Sequence, residues 1–200
     1  PLPAVAMIVH MENLLAQRKH TELLEQFGNE DFSKWPFTQV GPAAFARARA
    51  YLQSKNGKAA EDDLQAALAL TSDKRLRTSI LVNLGHNRET NLKDDARALA
   101  AYRLNFEGKS RIGGAEEFRS VQQAARILSR QGKHDEALQT LARIDAAKQS
   151  GSWGATTYAI RGDLLTAAGR KQEARTAYQN ALGKPGLPQA WREAIEKKIK

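Results

Sequence analysis

The stretch Leu128-Ser129-Arg130-Gln131-Gly132-Lys133-His134-Asp135-Glu136-Ala137-Leu138-Gln139-Thr140-Leu141 decides how the rest of the chain is read. It holds the end of one helix, a glycine turn, and a second amphipathic helix that opens on acidic residues, where carboxylates complement the helix dipole. The same grammar recurs at Leu165-Thr166-Ala167-Ala168-Gly169-Arg170-Lys171-Gln172-Glu173-Ala174-Arg175-Thr176-Ala177-Tyr178, and again from Tyr51 to Leu64, with Gly57 read as the turn. A unit that returns three times marks a repeat architecture.

Anchoring on the small or apolar residue of each second helix gives Leu23, Ala60, Ala98, Ala137 and Ala174, at intervals of 37, 38, 39 and 37 residues. Four places on stands a large apolar residue in every case: Phe27, Leu64, Tyr102, Leu141 and Tyr178. Residues four apart share a helix face, so the small one admits a neighbouring helix and the large one fills the space beside it. The first helices carry their own three-four spacing at Met7-Met11-Leu14-Leu15, Ala44-Ala48-Tyr51-Leu52, Leu81-Leu84-Gly85, Val121-Ala124-Ala125-Leu128 and Tyr158-Gly162-Leu165. The expected fold is therefore all-α, a right-handed α-solenoid of about five antiparallel helical hairpins over 4–30, 41–70, 75–106, 116–144 and 154–183. A capping helix over 188–199 begins at Pro188 and places Trp191, Ala194, Ile195 and Ile199 along one side. The whole of 1–200 is read as one repeat domain, and the opening Pro1-Leu2-Pro3, in place of Met, as the start of a fragment of a longer chain.

These residues resemble the tetratricopeptide repeat. Tyr158, Gly162, Leu165, Ala174, Tyr178, Ala181 and Pro185 follow its pattern nearly throughout, and Ala60, Leu64, Ala67, Leu68 and Leu70 reproduce its second helix. Departures are Arg161, where the family usually has Leu, and Asn105, where a second small residue is expected. The unit also exceeds the family's usual length, by residues that fall in the loops. Any antiparallel α-solenoid or irregular helical bundle would share the period. The resemblance implies a protein-interaction scaffold, with first helices lining a concave groove that takes a peptide or partner segment. Residues expected to face that groove are Phe45, Arg49, Gln53, Asn83, Asn87, Arg119, Gln122, Arg126 and Arg130. Arginine forks and amides suit carboxylates and peptide backbone, so an acidic segment or a free C-terminus is the expected ligand.

Composition narrows the alternatives. With 200 residues, 42% of them hydrophobic and 26% charged, the chain can bury a core and is not of the disordered or low-complexity class. The absence of cysteine removes disulfides, thiolate metal sites and cysteine nucleophiles. Gly108-Lys109-Ser110 lacks the glycine that a phosphate loop needs five residues earlier, where Arg103 stands, and Gly113-Gly114 lacks the spacing of a dinucleotide fingerprint. His10, His20, His86 and His134 have no ligand spacing among themselves, and Gly151-Ser152-Trp153-Gly154 is no nucleophile elbow. No enzyme, cofactor or metal is expected. The most apolar run, Ala4 to Val9, ends at His10, far short of a membrane span. Compartment and oligomeric state stay open.

The net charge of +9 attracts anionic partners. An RNA-binding helical repeat is thus an alternative. The disfavouring observation is that basic residues alternate with acidic ones in every hairpin, with no run of five like charges. A second alternative is self-association through Trp35-Pro36-Phe37, Trp153 or the Trp191 face.

Overall fold

A computed structural model describes residues 3–107 and 113–199. Gly108-Lys109-Ser110 and the first two residues lie outside that set. Every regular element among the described residues is helical. In chain order these are α1 (Ala4–Ala16), α2 (His20–Phe27), a short 3₁₀ turn (Phe32–Lys34), α3 (Phe37–Gln53), α4 (Gly57–Leu70), α5 (Lys74–Thr90), α6 (Asp95–Phe106), α7 (Ala115–Arg130), α8 (His134–Leu141), α9 (Gly151–Ala167), α10 (Lys171–Gly183) and α11 (Gln189–Ile199). The chain divides into two compact units, Pro1–Ile112 and Gly113–Lys200. None of these helices is long and apolar enough to cross a membrane.

Within each unit the helices pack as consecutive pairs, α1 with α2, α3 with α4 and α5 with α6 in the first, α7 with α8 and α9 with α10 in the second. The anchors Leu23, Ala60, Ala98, Ala137 and Ala174 and their large partners Phe27, Leu64, Tyr102, Leu141 and Tyr178 are all buried, as the small-large alternation requires. Each large side chain removed from water contributes about 1.5–3 kcal/mol.

The turns repeat as faithfully as the cores. Arg18, Lys55, Lys93, Gly132 and Gly169 have φ of 59°, 59°, 56°, 76° and 75°, one left-handed residue in each pair's turn, at the same intervals as the anchors. In the second unit the Lys133 amide donates to the Leu128 carbonyl at 2.9 Å and the Arg170 amide to that of Leu165 at 2.9 Å, closing a Schellman turn. The Asn56 amide does the same to the Tyr51 carbonyl at 3.0 Å. The turn residue of that pair is therefore Lys55. Gly57 is instead the first residue of α4, where an added Cβ would meet the Asn91 side chain at 2.8 Å. Asn56 caps α4 through the Ala59 amide, and Asp73 caps α5 through those of Arg75 and Leu76.

Two buried ion pairs join neighbouring helices of the first unit. Arg47 of α3 grips Asp63 of α4 with two bonds of 2.7 and 2.8 Å, stacks over the Phe32 ring at 4.2 Å and donates to the carbonyls of Phe27, the last residue of α2, and of Glu30 just past it. Glu61 of α4 holds Arg88 of α5 at 2.8 and 3.0 Å. Burial alone raises the pKa of Glu61, but hydrogen bonds from Arg88 and Gln65 and the charge of Arg88 outweigh it and hold the carboxyl below its ordinary value.

Several boundaries differ from the sequence reading for local reasons. α3 begins at Phe37, so Gly41 and Pro42 lie inside the helix rather than before it. α8 ends at Leu141, and α9 begins at Gly151, which places Trp153 in the helix and not in the preceding loop. On α11 only Ile195 is fully buried, while Trp191 and Ile199 are half-buried and Ala194 is exposed.

Candidate functional site: an arginine and tryptophan cleft in the second unit

The second unit carries a cleft of about 230 Å³ walled by α7, α9 and α11. From α7 come Arg119, Gln122, Gln123 and Arg126, spaced three, four and seven apart so that they share one helix face. α9 contributes Ser152, Trp153 and Thr156, and α11 contributes Trp191. The Arg126 guanidinium lies 5.5 Å from the centre of the Trp191 ring, and Trp153 meets Phe118 edge-on at 5.8 Å. Gln122 is tied down by its amide, which donates to the Thr157 hydroxyl at 3.1 Å. Arg119 is 3.9 Å from Glu116 across a solvent-exposed pair, a contact of little energy. Arginines bring two positive charges to this wall, and among the described residues lining it there is no carboxylate, Glu116 touching Arg119 from outside the lining.

α11 is held in place by polar contacts at its far end. Lys198 reaches Asp163 of α9 at 2.5 Å, and the Tyr178 hydroxyl of α10 donates to the same carboxylate at 2.6 Å. Partial burial lowers the pKa of Lys198, yet the bond to Asp163 and its negative charge prevail and raise it overall. Burial and the neighbouring carboxylate both raise that of Tyr178.

Of the nine residues expected at a groove, three line this cleft: Arg119, Gln122 and Arg126. Arg130, the last residue of α7, is exposed beyond it. The other five lie in the first unit and do not present a comparable surface. Phe45 is buried in the core, because α3 is packed by α1, α2, α4 and α5 and has little free face. Arg49 is spent on Glu12 of α1 at 2.8 and 2.9 Å. Asn87 is wholly buried and donates to the Gly57 carbonyl at 2.8 Å, holding α5 against the start of α4. Asn83 is half-buried and bonds back to the Ser79 carbonyl of its own helix at 2.8 Å. Gln53 is exposed at the end of α3. Gln123, Ser152, Trp153, Thr156 and Trp191 are the cleft residues that the sequence reading did not place there. The signal was present in the spacing of Ser152, Trp153 and Thr156, which share a helix face once α9 is known to begin at Gly151.

A chain of paired helices with small-large packing in every pair, and with a polar and aromatic cleft lined by alternate helices, defines a helical-repeat protein. Residues 115–200 match the family model described as tetratricopeptide repeat-like domain, so the resemblance read from the sequence is shown for the second unit. Over its whole length the chain is similar in fold to a solved structure described as BtubC (BKLC) from P. vanneervenii, with a TM-score of 0.65 and 16% sequence identity, covering 100% of this chain and 82% of that one. No curated protein matches the sequence. Residues 115–200 are thus a tetratricopeptide repeat-like domain, a class whose general role is to hold other proteins, and the whole chain shares the helical fold of that solved structure.

Proposed function

We propose that this chain is a non-enzymatic protein-interaction module that takes an acidic, extended segment of a partner in the cleft formed by α7, α9 and α11. The single observation that carries this reading is the pairing of Arg119 with Arg126 on a wall without carboxylates. Seven residues of helix separate the two by about 10 Å, which an extended peptide spans in about three residues. Carboxylates at that separation would meet both guanidiniums in charge-assisted hydrogen bonds, and Trp153 and Trp191 would cover apolar side chains between them.

RNA is the competing ligand of the same chemistry. Base stacking needs open indole faces, and here Arg126 already lies over Trp191. The peptide reading is therefore preferred.

Fluorescence anisotropy tests it with a labelled peptide bearing Glu at every third position, its Gln counterpart, and a single-stranded oligouridylate. The acidic peptide binds, the Gln peptide binds at least about tenfold more weakly, and the Arg119→Glu/Arg126→Glu variant loses the acidic peptide while keeping its helical circular dichroism. Equal affinity of both peptides, or retained binding by the variant, overturns the assignment. Preference for the oligonucleotide moves it to RNA.

A further inference from the structure

Two clefts of the second unit, each larger than the one between α7, α9 and α11, lie on the opposite side of α9 from Trp153 and Thr156. One, about 300 Å³, is walled by Leu138 and Leu141 of α8 and by Ile144 in the loop that follows; the other, about 370 Å³, opens between α9 and α10. They share Tyr158 and Arg161, which form the saddle between them. At 3.6 residues per turn, Tyr158, Arg161 and Leu165 point away from the face that carries Ser152, Trp153 and Thr156. These are two separate surfaces.

The clefts have a structural cause. α8 has 8 residues where α10 has 13, so the outer side of α9 is left without the helical cover it would otherwise receive. The loop after α8 does not collapse to fill the gap. It is pinned by Gly154, where a Cβ would lie 2.7 Å from the Ala146 carbonyl oxygen, and by Lys184, which donates to the Ala147 carbonyl at 2.6 Å. At Arg161 the resemblance would place leucine, a side chain that would close the saddle with apolar volume. Here it carries a cation instead.

Charge decides what the surface fits. The two carboxylates lining the clefts are already held, Asp145 by Lys148 at 3.1 Å and Glu173 by a two-point pair with Arg170 at 2.6 Å each. Arg161 is exposed and forms no ion pair within 4 Å among the described residues, its charge reaching Glu173 only at longer range, and it lines the first of these clefts with half-buried Leu138 and Tyr158. We infer that the outer surface of α9 is a second docking site, for a peptide segment that places an apolar side chain against Leu138 and Tyr158 and a carboxylate on Arg161. The apolar contact supplies burial, and the fork of Arg161 supplies direction and selects an acidic residue beside it.

The test silences the first cleft so that the two surfaces fail or succeed separately. A phage-displayed library of random short peptides is selected on the full chain carrying Arg119→Glu/Arg126→Glu, and the recovered peptides are resynthesised for anisotropy. The expected peptides combine an apolar with an acidic residue and lose at least about tenfold in affinity on Arg161→Glu and on Arg161→Leu. Arg161→Leu keeps its thermal midpoint, because Arg161 is exposed and supports no packing contact that leucine would break, so a loss there is not unfolding. Peptides that bind both Arg161 variants as well as the parent, peptides without acidic residues, or no recovered peptide overturn the inference.

Discussion

Gly162 lies against the ring of Tyr178 so closely that a Cβ on it would stand 2.4 Å from the ring carbons. The first unit repeats the relationship, with Gly85 facing Tyr102 at 2.5 Å. In each pair the first helix gives up a side chain so that the ring of the second can lie flat on its backbone, and both rings are almost wholly buried. Alanine at either glycine therefore overpacks the joint at a cost of about 1–3 kcal/mol, which exceeds the ~0.5–1 kcal/mol that alanine returns in helix propensity. Urea unfolding of Gly85→Ala and Gly162→Ala should show lower midpoints with unchanged slopes. A midpoint at or above the parent's would mean the rings have room to move.

The turns offer the opposite sign. Arg18, Lys55 and Lys93 hold the left-handed conformation that Gly132 and Gly169 hold elsewhere, and a residue with a Cβ is strained there by about 1 kcal/mol. Lys55→Gly and Lys93→Gly should each stabilise the chain by up to about 1 kcal/mol, and Gly132→Ala and Gly169→Ala, which have open space around them, should destabilise it by a similar amount through backbone strain alone. Thermal unfolding of the four variants separates this account from one in which turn residues are interchangeable, which requires four unchanged midpoints.

Those turns also show which parts of the fold are readable from residues alone. The interval between repeats is written in Ala98 and Tyr102 or Ala174 and Tyr178, because volume matching depends on side chains themselves. The turn at Lys55 is not written that way, since lysine carries no mark of a left-handed backbone, and Gly57 beside it draws the reading to itself. At the site, Arg119, Gln122 and Arg126 were legible as one helix face, whereas Asn87 was misread because its polarity serves the buried Gly57 carbonyl and not solvent. Phe45 was misread for a different reason. A helix surrounded by four others has no outer face for periodicity to reveal.

Acid should loosen the first unit through Glu61. Its pKa in the folded chain is held below the ordinary glutamate value of 4.5, so the protonated form is favoured more in the unfolded chain than in the folded one. The stabilisation is complete above pH 4.5 and is lost as the pH falls through the depressed folded value. Stability curves between neutral pH and pH 3 should fall on the acid side, and Glu61→Gln should flatten that limb while lowering stability at neutral pH by breaking the buried pair with Arg88. An acid limb of unchanged steepness in the variant would place the titrating group elsewhere.

The second unit should fold without the first. One cluster of its core, Leu165, Ala177, Tyr178, Ala181 and Ile195 with Ala155 and Ala159, comes from α9, α10 and α11 with Leu138 of α8 packed against it, and Val121, Ile127 and Leu128 of α7 and Leu141 of α8 are buried as well. The family match covers 115–200 and coincides with that unit. Small helical domains of this size bury enough apolar surface for modest stability, and a helical repeat gains its cohesion from nearest neighbours rather than from distant contacts. A chain spanning 113–200 should therefore be helical by circular dichroism, unfold cooperatively on heating, and bind the acidic peptide as the full chain does, because every cleft residue lies on α7, α9 or α11. A fragment that is unfolded, or folded but unable to bind, would show that the first unit completes either the core or the cleft.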